Sequence, residues 1–259
     1  MTAASSIVEL RGGAVPIEVR SAGRGPALLW LHSILDRDPW PPLLDSLAER
    51  HTVYAPSHPG VGRSGGVETL DDVVDLALVY DELLGALGVS SATLAGHFFG
   101  AMMAAELAAL CPARARRVCL VSPLGIWLTG KPVADVLILP ASELEGLLWT
   151  DPAGPAARRW AAQAAGATEN ASAEAEQIQQ LAVMGKFVWP IPDKGLRKRL
   201  HRITAPTDLV WGEGDRVNPV AYAEEFRRLV PGAVVHRVPG AHMLHLEQPD
   251  AVAALGGRA

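Results

Sequence analysis

Residues 92–110 read ATLAGHFFGAMMAAELAAL, in which a short apolar run meets a longer, alanine-rich one between two glycines. The apolar run predicts a buried strand, and Phe99–Leu110 predicts a helix. Gly96 and Gly100 lie two residues before and two residues after Phe98. A strand that turns this sharply into a helix leaves room only for glycine hydrogens beside the central residue. The segment therefore predicts a nucleophile elbow whose central residue is Phe98.

Strand-prone and helix-prone runs alternate on both sides of this segment. The predicted strands are Ile7–Arg11, Val15–Arg20, Ala27–Leu31, Thr52–Ala55, Ala92–Ala95, Arg117–Val121, Asp208–Trp211 and Ala233–Val238. The predicted helices are Trp40–Arg50, Leu70–Leu87, Phe99–Leu110, Lys194–His201, Val220–Leu229 and Gln248–Leu255. This alternation predicts the α/β class, with a mostly parallel central sheet flanked by helices on both faces.

The alternation stops between residues 123 and 192. This stretch holds four of the seven tryptophans, several prolines and broken helical segments, and it contains no convincing strand. We therefore expect a helical cap at 123–192, inserted after the sixth strand, and a core formed by 1–122 and 193–259.

Composition excludes several classes of protein. With 259 residues, 49% of them hydrophobic and 20% charged, the chain can bury a full core. A net charge of −5 provides no basic surface for nucleic acid. No run of about 18 apolar residues predicts a membrane span. The N-terminus has neither a basic stretch nor an apolar stretch typical of export, which predicts a cytoplasmic protein.

Polar residues follow the last two predicted strands. The loop after Asp208–Trp211 contains Asp215, and the loop after Ala233–Val238 contains His242. Functional groups of a parallel sheet gather at the carboxyl ends of its strands. An elbow, then an acid, then a histidine is the chain order of the α/β-hydrolase triad.

Over essentially its whole length the chain resembles the α/β-hydrolase-fold superfamily, in particular its capped esterases and C–C bond hydrolases. The resemblance is carried by Leu31-His32-Ser33, His58-Pro59-Gly60-Val61-Gly62-Arg63-Ser64, the elbow glycines, WGEGD at 211–215 and GAHMLHLEQP at 240–249. It implies that Asp215 and His242 are the acid and the base. It also implies an oxyanion hole formed by the backbone N–H groups of Ile34 and Phe99, and a pocket for a small, mainly apolar substrate.

Phe98 departs from the family pattern, which has serine, or sometimes cysteine or aspartate, at this position. A phenyl ring has no nucleophile and no proton to give to His242. In subtilisin, loss of the serine alone costs about 10⁶ in kcat, which corresponds to roughly 8 kcal/mol of barrier. The chain should therefore not form an acyl-serine.

Other candidate nucleophiles and pocket residues are weaker. Gly62-Arg63-Ser64-Gly65-Gly66 matches G-x-S-x-G, but it lies several residues past its strand and predicts a turn. Ser33 and Ser122 follow strand ends and could border the pocket, although a role in satisfying loop backbone is more common for such residues. Trp127 could line the pocket, although cap tryptophans more often pack in a core.

The remaining histidines predict structure more than chemistry. His32 and His58 lie in strand-end loops, where a loop-organising role is favoured, although His32 is also a pocket candidate. His97 is expected to pack beside the elbow, and His245 is expected to be structural. No cluster of His, Cys, Asp and Glu has metal-ligand spacing, and no glycine-rich segment has a phosphate-loop context, so we expect neither a metal nor a cofactor.

Three hypotheses follow from Phe98. The first is an enzyme of the hydrolase fold that uses His242, oriented by Asp215, for non-covalent acid–base chemistry of the lyase, cyclase, dehydratase or cofactor-free type. Its substrate would be a small, mainly apolar carbonyl or enolisable molecule. The second is an ester or C–C bond hydrolase inactivated at Phe98. The third is a non-catalytic relative whose capped pocket binds a ligand.

Overall fold

A twisted eight-stranded sheet forms the centre of the computed structural model, which describes residues 2–168, 171–190 and 193–257. The strands are β1 (Ala4–Leu10), β2 (Val15–Ala22), β3 (Ala27–Leu31), β4 (Thr52–Pro56), β5 (Ala92–His97), β6 (Ala115–Val121), β7 (Thr207–Gly212) and β8 (Val234–Val238). Their order is β1-β2-β4-β3-β5-β6-β7-β8. Strand β2 pairs antiparallel with β1 and β4, and the other neighbours pair parallel.

Helices cover both faces of the sheet. They are α1 (Pro42–Ala48), α2 (Val73–Ala86), α3 (Phe99–Leu110), α4 (Ala141–Leu148), α5 (Pro155–Thr168), α6 (Ala171–Val188), α7 (Ala221–Leu229), α8 (Leu244–Glu247) and α9 (Pro249–Gly256). Helices α1 and α9 bury their apolar side chains in one core cluster, and α2, α3 and α7 bury theirs in a larger one. The predicted α/β fold with a mostly parallel sheet is confirmed, and it places the ends of β3, β5, β6, β7 and β8 along one edge.

Several predicted boundaries shift for local reasons. Helix α2 begins at Val73 and not at Leu70, because the side chain of Asp72 accepts hydrogen bonds from the N–H groups of Val74 and Asp75 and so caps the helix. A short helix, α8, precedes α9 and was not predicted.

The predicted helix at Lys194–His201 is wrong. Two single 3-10 turns occupy this segment, Leu196–Lys198 and Leu200–Arg202. The buried Leu196 and Leu200, four residues apart, imitate a helical face. The backbone of Arg199, at φ −110° and ψ −23°, interrupts the run between the turns.

The helical insertion follows the sixth strand, since α4, α5 and α6 lie between β6 and β7. Side chains of α5 and α6 anchor it on the loop after β3. The indole Nε1 of Trp160 donates to the carbonyl of Leu35 at 2.8 Å. The side-chain amide of Gln180 donates to the carbonyls of Ser33 and Asp36, at 3.2 and 3.1 Å. These bonds place the inserted helices beside the strand ends. The division at residues 123 and 192 stays a prediction, and residues 169–170, 191–192 and 258–259 lie outside the described residues.

Within the described ranges, no helix combines the length and the apolar character that crossing a membrane requires.

Candidate active site

The turn from β5 into α3 is centred on Phe98. Its backbone has φ 49° and ψ −106°, a conformation that residues with a Cβ rarely adopt. A Cβ on Gly96 or on Gly100 would collide with the carbonyl oxygen of Leu31, which explains the two flanking glycines. Holding a phenylalanine in this conformation costs about 1–3 kcal/mol. The chain therefore makes the sharp elbow turn, with a strained aromatic residue at its centre.

His242 and Asp215 meet beside this turn. The Nδ1 atom of His242 lies 2.9 Å from Oδ2 and 3.1 Å from Oδ1 of Asp215. Since a carboxylate accepts, Nδ1 carries the proton, and the neutral ring then presents a bare lone pair on Nε2. The two residues come from the loops after β8 and β7, which are neighbouring strands.

Asp215 is held by donors on every side. Its Oδ1 accepts from the backbone N–H groups of Val217 and Asn218, at 3.0 and 2.8 Å. Its Oδ2 accepts from the hydroxyl of Ser122 at 2.8 Å. These bonds fix the carboxylate and, through it, the orientation of the His242 ring. They also use the hydroxyl of Ser122, which sequence analysis had placed only as a pocket candidate.

The Nε2 atom of His242 is buried and finds no hydrogen-bond partner within the described part of the chain. The ring of Phe98 stands next to it, with ring centroids 4.7 Å apart and the planes at 88°. Both side chains are fully excluded from solvent. Phe98 thus occupies the place from which a nucleophile would donate a hydrogen bond to Nε2, and its side chain has no group that can donate one.

Two backbone donors were predicted to belong to this site, the N–H groups of Ile34 and Phe99. Phe99 is the first residue of α3, so its N–H has no intrahelical acceptor. Ile34 lies in the loop after β3, between Ser33 and Leu35, whose own N–H groups are bonded to Asp36 and Ser33. Among the described residues, neither the N–H of Ile34 nor that of Phe99 donates a hydrogen bond. Such free donors suit an oxyanion, and this role for the pair stays a prediction.

The loops after β3 and β4 are tied together by His32 and His58. The N–H of His58 donates to Nε2 of His32 at 3.3 Å, and Nε2 of His58 donates to the carbonyl of His32 at 2.9 Å. The hydroxyl of Tyr80 completes the set by donating to Nδ1 of His58. Burial holds the pKa of both histidines below the usual range, and further below for His58. Every ring nitrogen of this pair is used inside the fold.

The other predicted residues lie in structural settings. The hydroxyl of Ser33 accepts from the N–H of Leu35 at 3.1 Å, which closes the turn after β3. Ser64 lies in a loop, where its hydroxyl accepts from the N–H of Glu18 and donates to the carbonyl of Ser57, so the G-x-S-x-G match is a turn. Trp127 is half-buried, and its carbonyl accepts from Arg197 at 3.0 Å. A pocket role for Trp127 stays a prediction.

A second histidine–carboxylate pair lies close to the first. Nε2 of His245 lies 2.7 Å from Oδ1 of Asp36, and Oδ2 of Asp36 accepts from the N–H of Ser33 at 2.8 Å. The ring of His97 stands between the two pairs, with centroids 4.8 Å from His242 and 4.2 Å from His245. One ligand atom from each of Asp36, His97 and His245 lies within 4.8 Å of the others.

Burial controls the electrostatics of this second pair. Burial holds the pKa of His97 well below its usual range, and the neighbouring rings of His245 and His242 lower it further. Burial by itself would raise the pKa of Asp36, but the charge and hydrogen bond of His245 outweigh it and lower that pKa. Sequence analysis missed Asp36 altogether. The available signal was its position just after a predicted strand.

The whole of this arrangement fits one known family. The family model described as the α/β hydrolase fold matches residues 26–249. The chain belongs to this family. The chain therefore combines the α/β hydrolase fold with a phenylalanine at the centre of the turn from β5 into α3.

The proteins similar to this chain carry several different names. Polyketide synthase ThaQ of Burkholderia thailandensis is 29% identical over 95% of this chain, which spans only 12% of the length of ThaQ. The protein named "Putative carbamate hydrolase RutD" of Azorhizobium caulinodans is 28% identical over 93% of this chain and 89% of its own. Among solved structures, a serine hydrolase of Cycloclasticus zankles superimposes with a TM-score of 0.79 at 19% identity, covering 99% of this chain and 97% of its own.

Proposed function

We propose that this protein is an α/β-hydrolase-fold enzyme that has no covalent nucleophile and uses His242 as a general base, oriented by Asp215. The observation that carries the proposal is the bare, buried Nε2 atom of His242. A buried polar atom without a partner costs about 1–3 kcal/mol, so its presence requires an explanation. The explanation that we offer is that Nε2 of His242 accepts a proton from a bound substrate.

The energetics of the elbow support the same interpretation. The strained backbone of Phe98 and the unpaired Nε2 of His242 both lower the stability of the fold. Strain and unsatisfied polar atoms cluster at functional sites, where other interactions maintain them. A site with both features beside an oriented imidazole is suited to proton transfer.

The reaction class follows from the groups present. His242 Nε2 would take a proton from the carbon next to a carbonyl, and the electron pair would move into the carbonyl to form an enolate. The backbone N–H groups of Ile34 and Phe99 would stabilise the enolate oxygen. The protonated imidazole, held by Asp215, would then return the proton to the substrate or give it to a leaving group. Isomerisation, elimination, dehydration and cyclisation all begin in this way.

The walls of the site favour a small and mainly apolar substrate. The ring of Phe98 gives the base an apolar neighbour, and burial excludes water from it. Because both side chains are fully buried, a substrate must displace the Phe98 ring to reach Nε2. The proposal therefore requires that this ring move when a ligand binds.

An assay that needs no knowledge of the natural substrate can test the proposal. In D₂O, a general base exchanges the α-protons of a ketone for deuterium, and NMR measures the loss of proton signal. We expect the protein to accelerate exchange in some members of a panel of small aliphatic and aryl ketones. The acceleration should fall by about 10²–10⁴ in His242→Ala, the contribution typical of one general base.

The outcomes separate clearly. Exchange at the buffer rate across the panel, or exchange that His242→Ala leaves unchanged, would overturn the proposal. The control is His201→Ala, which removes an exposed histidine outside this site. It should retain the full rate, and circular dichroism and thermal melting should show that both variants are folded.

One observation favours a second candidate, an ester or C–C bond hydrolase inactivated at Phe98. The backbone at this position has the elbow conformation that a nucleophile needs, and one similar protein carries the name of a carbamate hydrolase. The test is Phe98→Ser on a panel of short and medium aryl esters, with a fluorophosphonate label. Labelling and esterase activity that appear only in this variant, and that Phe98→Ser/His242→Ala abolishes, would favour this candidate. An inactive but folded serine variant would leave acid–base chemistry or a binding role as the function of the site, and His242→Ala would decide between them.

A further inference from the structure

A separate cavity opens at the carboxyl ends of β3 and β4. Its volume is about 140 Å³, and its lining includes Trp30, Asp36, Arg37 and Val61. Neither Phe98 nor any residue of the pair formed by His242 and Asp215 lines it. An engineered apolar cavity of about 150 Å³ holds benzene, so a single small ring fits a space of this size. The cavity is thus large enough for a ligand, and it is lined by His32 and Asp36 but not by the elbow or the pair formed by His242 and Asp215.

One hydrogen-bond donor on this cavity lacks an acceptor. Trp30 lines the cavity, is 2% exposed, and its Nε1 has no partner within the described residues. Buried indole N–H groups usually find an acceptor. Trp30 belongs to β3, one of the inner strands of the sheet, and its side chain is buried against this cavity. A ligand in the cavity can therefore supply the acceptor that the described residues do not.

Three carboxylates line the cavity, those of Glu18, Asp36 and Asp38, and each already accepts a hydrogen bond, for Asp38 from the N–H of Trp40 at 2.9 Å. Asp36 accepts from His245 and from the N–H of Ser33. Glu18 accepts from Ser5 and Arg63 and forms an ion pair with Arg20. Among the described residues that line the cavity, the buried polar atom without a partner is a donor, Nε1 of Trp30, so a ligand would have to supply an acceptor.

Arg37 adds a fixed positive charge at the same cavity. Its guanidinium lies 3.2 Å above the ring of Trp160 and donates to the carbonyl of Trp160 at 3.1 Å. Burial lowers the pKa of Arg37 to about 10, against the opposing effect of the Glu145 carboxylate, so the group remains charged at neutral pH while poorly hydrated. A desolvated guanidinium interacts strongly with an anionic oxygen.

Pro39, Pro41, Pro56 and Val61 form apolar walls. We propose that this cavity is a binding site for a small carboxylate, whose oxygens meet the Trp30 indole N–H and the Arg37 guanidinium while its apolar part lies against these walls. The site does not depend on the function proposed for His242. A monocyclic carboxylate is the size that the cavity admits.

Benzoate is the probe that tests this site. In a two-dimensional ¹H–¹⁵N spectrum the Trp30 indole gives one signal, which Trp30→Phe identifies by its loss. We expect benzoate to shift this signal in a saturable manner. Arg37→Gln should weaken the affinity at least about tenfold, the loss expected for a hydrogen bond to a charged group. Benzamide, which keeps the ring and removes the charge, should bind weaker by a similar factor.

Two controls make each outcome decisive. Arg24→Gln removes an exposed arginine and should leave benzoate affinity unchanged, as should His242→Ala. If Arg37→Gln disturbs the fold, Arg37→Lys serves in its place, since it keeps the charge and loses the planar fork. The proposal is overturned if benzoate does not shift the Trp30 signal, if the Arg37 variants bind as tightly as the parent, or if benzamide matches benzoate. Loss of binding in a folded His242→Ala protein would overturn the independence of the two sites.

Discussion

Two histidine–carboxylate pairs lie side by side at one edge of the sheet, and they differ in what faces them. His242 and His245 come from the same short segment, and each gives one ring nitrogen to a buried carboxylate, Asp215 and Asp36 respectively. The other ring nitrogen of each histidine has no partner among the described residues. In the first pair the ring of Phe98 packs against His242, whereas in the second pair the carboxylate of Asp36 lines a cavity.

This contrast teaches that geometry and access are separate properties of a site. The His242 pair has an imidazole oriented by a carboxylate, but one aromatic side chain fills the space in front of it. The His245 pair has open space next to it, and its carboxylate also accepts from the N–H of Ser33, so it supports the loop after β3. We therefore expect chemistry from the first pair once Phe98 moves, and a structural contribution from the second.

Replacing the two carboxylates in turn should give the largest contrast. Asp215→Asn should lower the His242-dependent α-proton exchange by about 10²–10⁴, because an amide cannot stabilise the imidazolium that forms and can favour the wrong tautomer. Asp36→Asn should leave the rate close to that of the parent. The measurement is deuterium incorporation into the responding ketone under matched conditions.

A result in which both variants lose the same activity would break the contrast. It would mean that the His245 pair takes part in the proton transfer, with His97 as the intervening ring. Thermal melting of both variants distinguishes that result from loss of the folded protein.

The contribution of the buried Phe98 side chain to the free energy of unfolding can be tested directly. Phe98→Ala removes a fully buried ring and should cost about 3–5 kcal/mol of unfolding free energy. Phe98→Gly loses the same contacts but relieves the strain at φ 49°. The glycine variant should therefore be more stable than the alanine variant by about 1 kcal/mol, the reverse of the usual order. Urea unfolding of the two variants measures the difference.

Equal stabilities, or an alanine variant that is the more stable, would show that the turn is not strained. The protein would then have accommodated Phe98 without cost, and one of the two arguments for a functional site would be lost.

Much of this arrangement could be predicted from the sequence, because local chemistry fixes it. Gly96 and Gly100 bracket the turn, and α3 begins and ends at the predicted residues, Phe99 and Leu110. Asp215 and His242 follow strands that are neighbours in a parallel sheet, so their meeting follows from chain order.

The second pair could not be predicted in this way. Asp36 and His245 are separated by 209 residues, and no motif links them. Their contact depends on how the loop after β3 folds back towards α8, which tertiary packing decides. The cavity beside Trp30 has the same origin, since side chains from four separate segments line it. The helix predicted at Lys194–His201 failed for a different reason. A local pattern was present there, but two leucines four residues apart are also compatible with two separate turns.

The smallest expected effect concerns pH and the ring of His97 between the two pairs. Burial holds the pKa of His97 well below its usual value of about 6.5. As the pH falls below about 6.5, the unfolded chain binds a proton at this residue while the folded protein does not. The stability contributed here is therefore fully present above that pH and is lost on acidification, by at most about 1.4 kcal/mol per pH unit.

His97→Gln should reduce this loss, since glutamine does not titrate and can still donate to the carbonyl of His242. Urea unfolding between pH 5 and pH 7 should show a slope smaller than that of the parent by about 1 kcal/mol per pH unit. His32 and His58, whose pKa values burial also lowers, should maintain part of the slope in both proteins. His201→Gln, at an exposed position, is the control for the substitution itself. If stability changes with pH by the same slope in the parent and in His97→Gln, the folded protein accepts a proton at His97. The interpretation of His97 as a neutral ring between the two pairs would then be wrong.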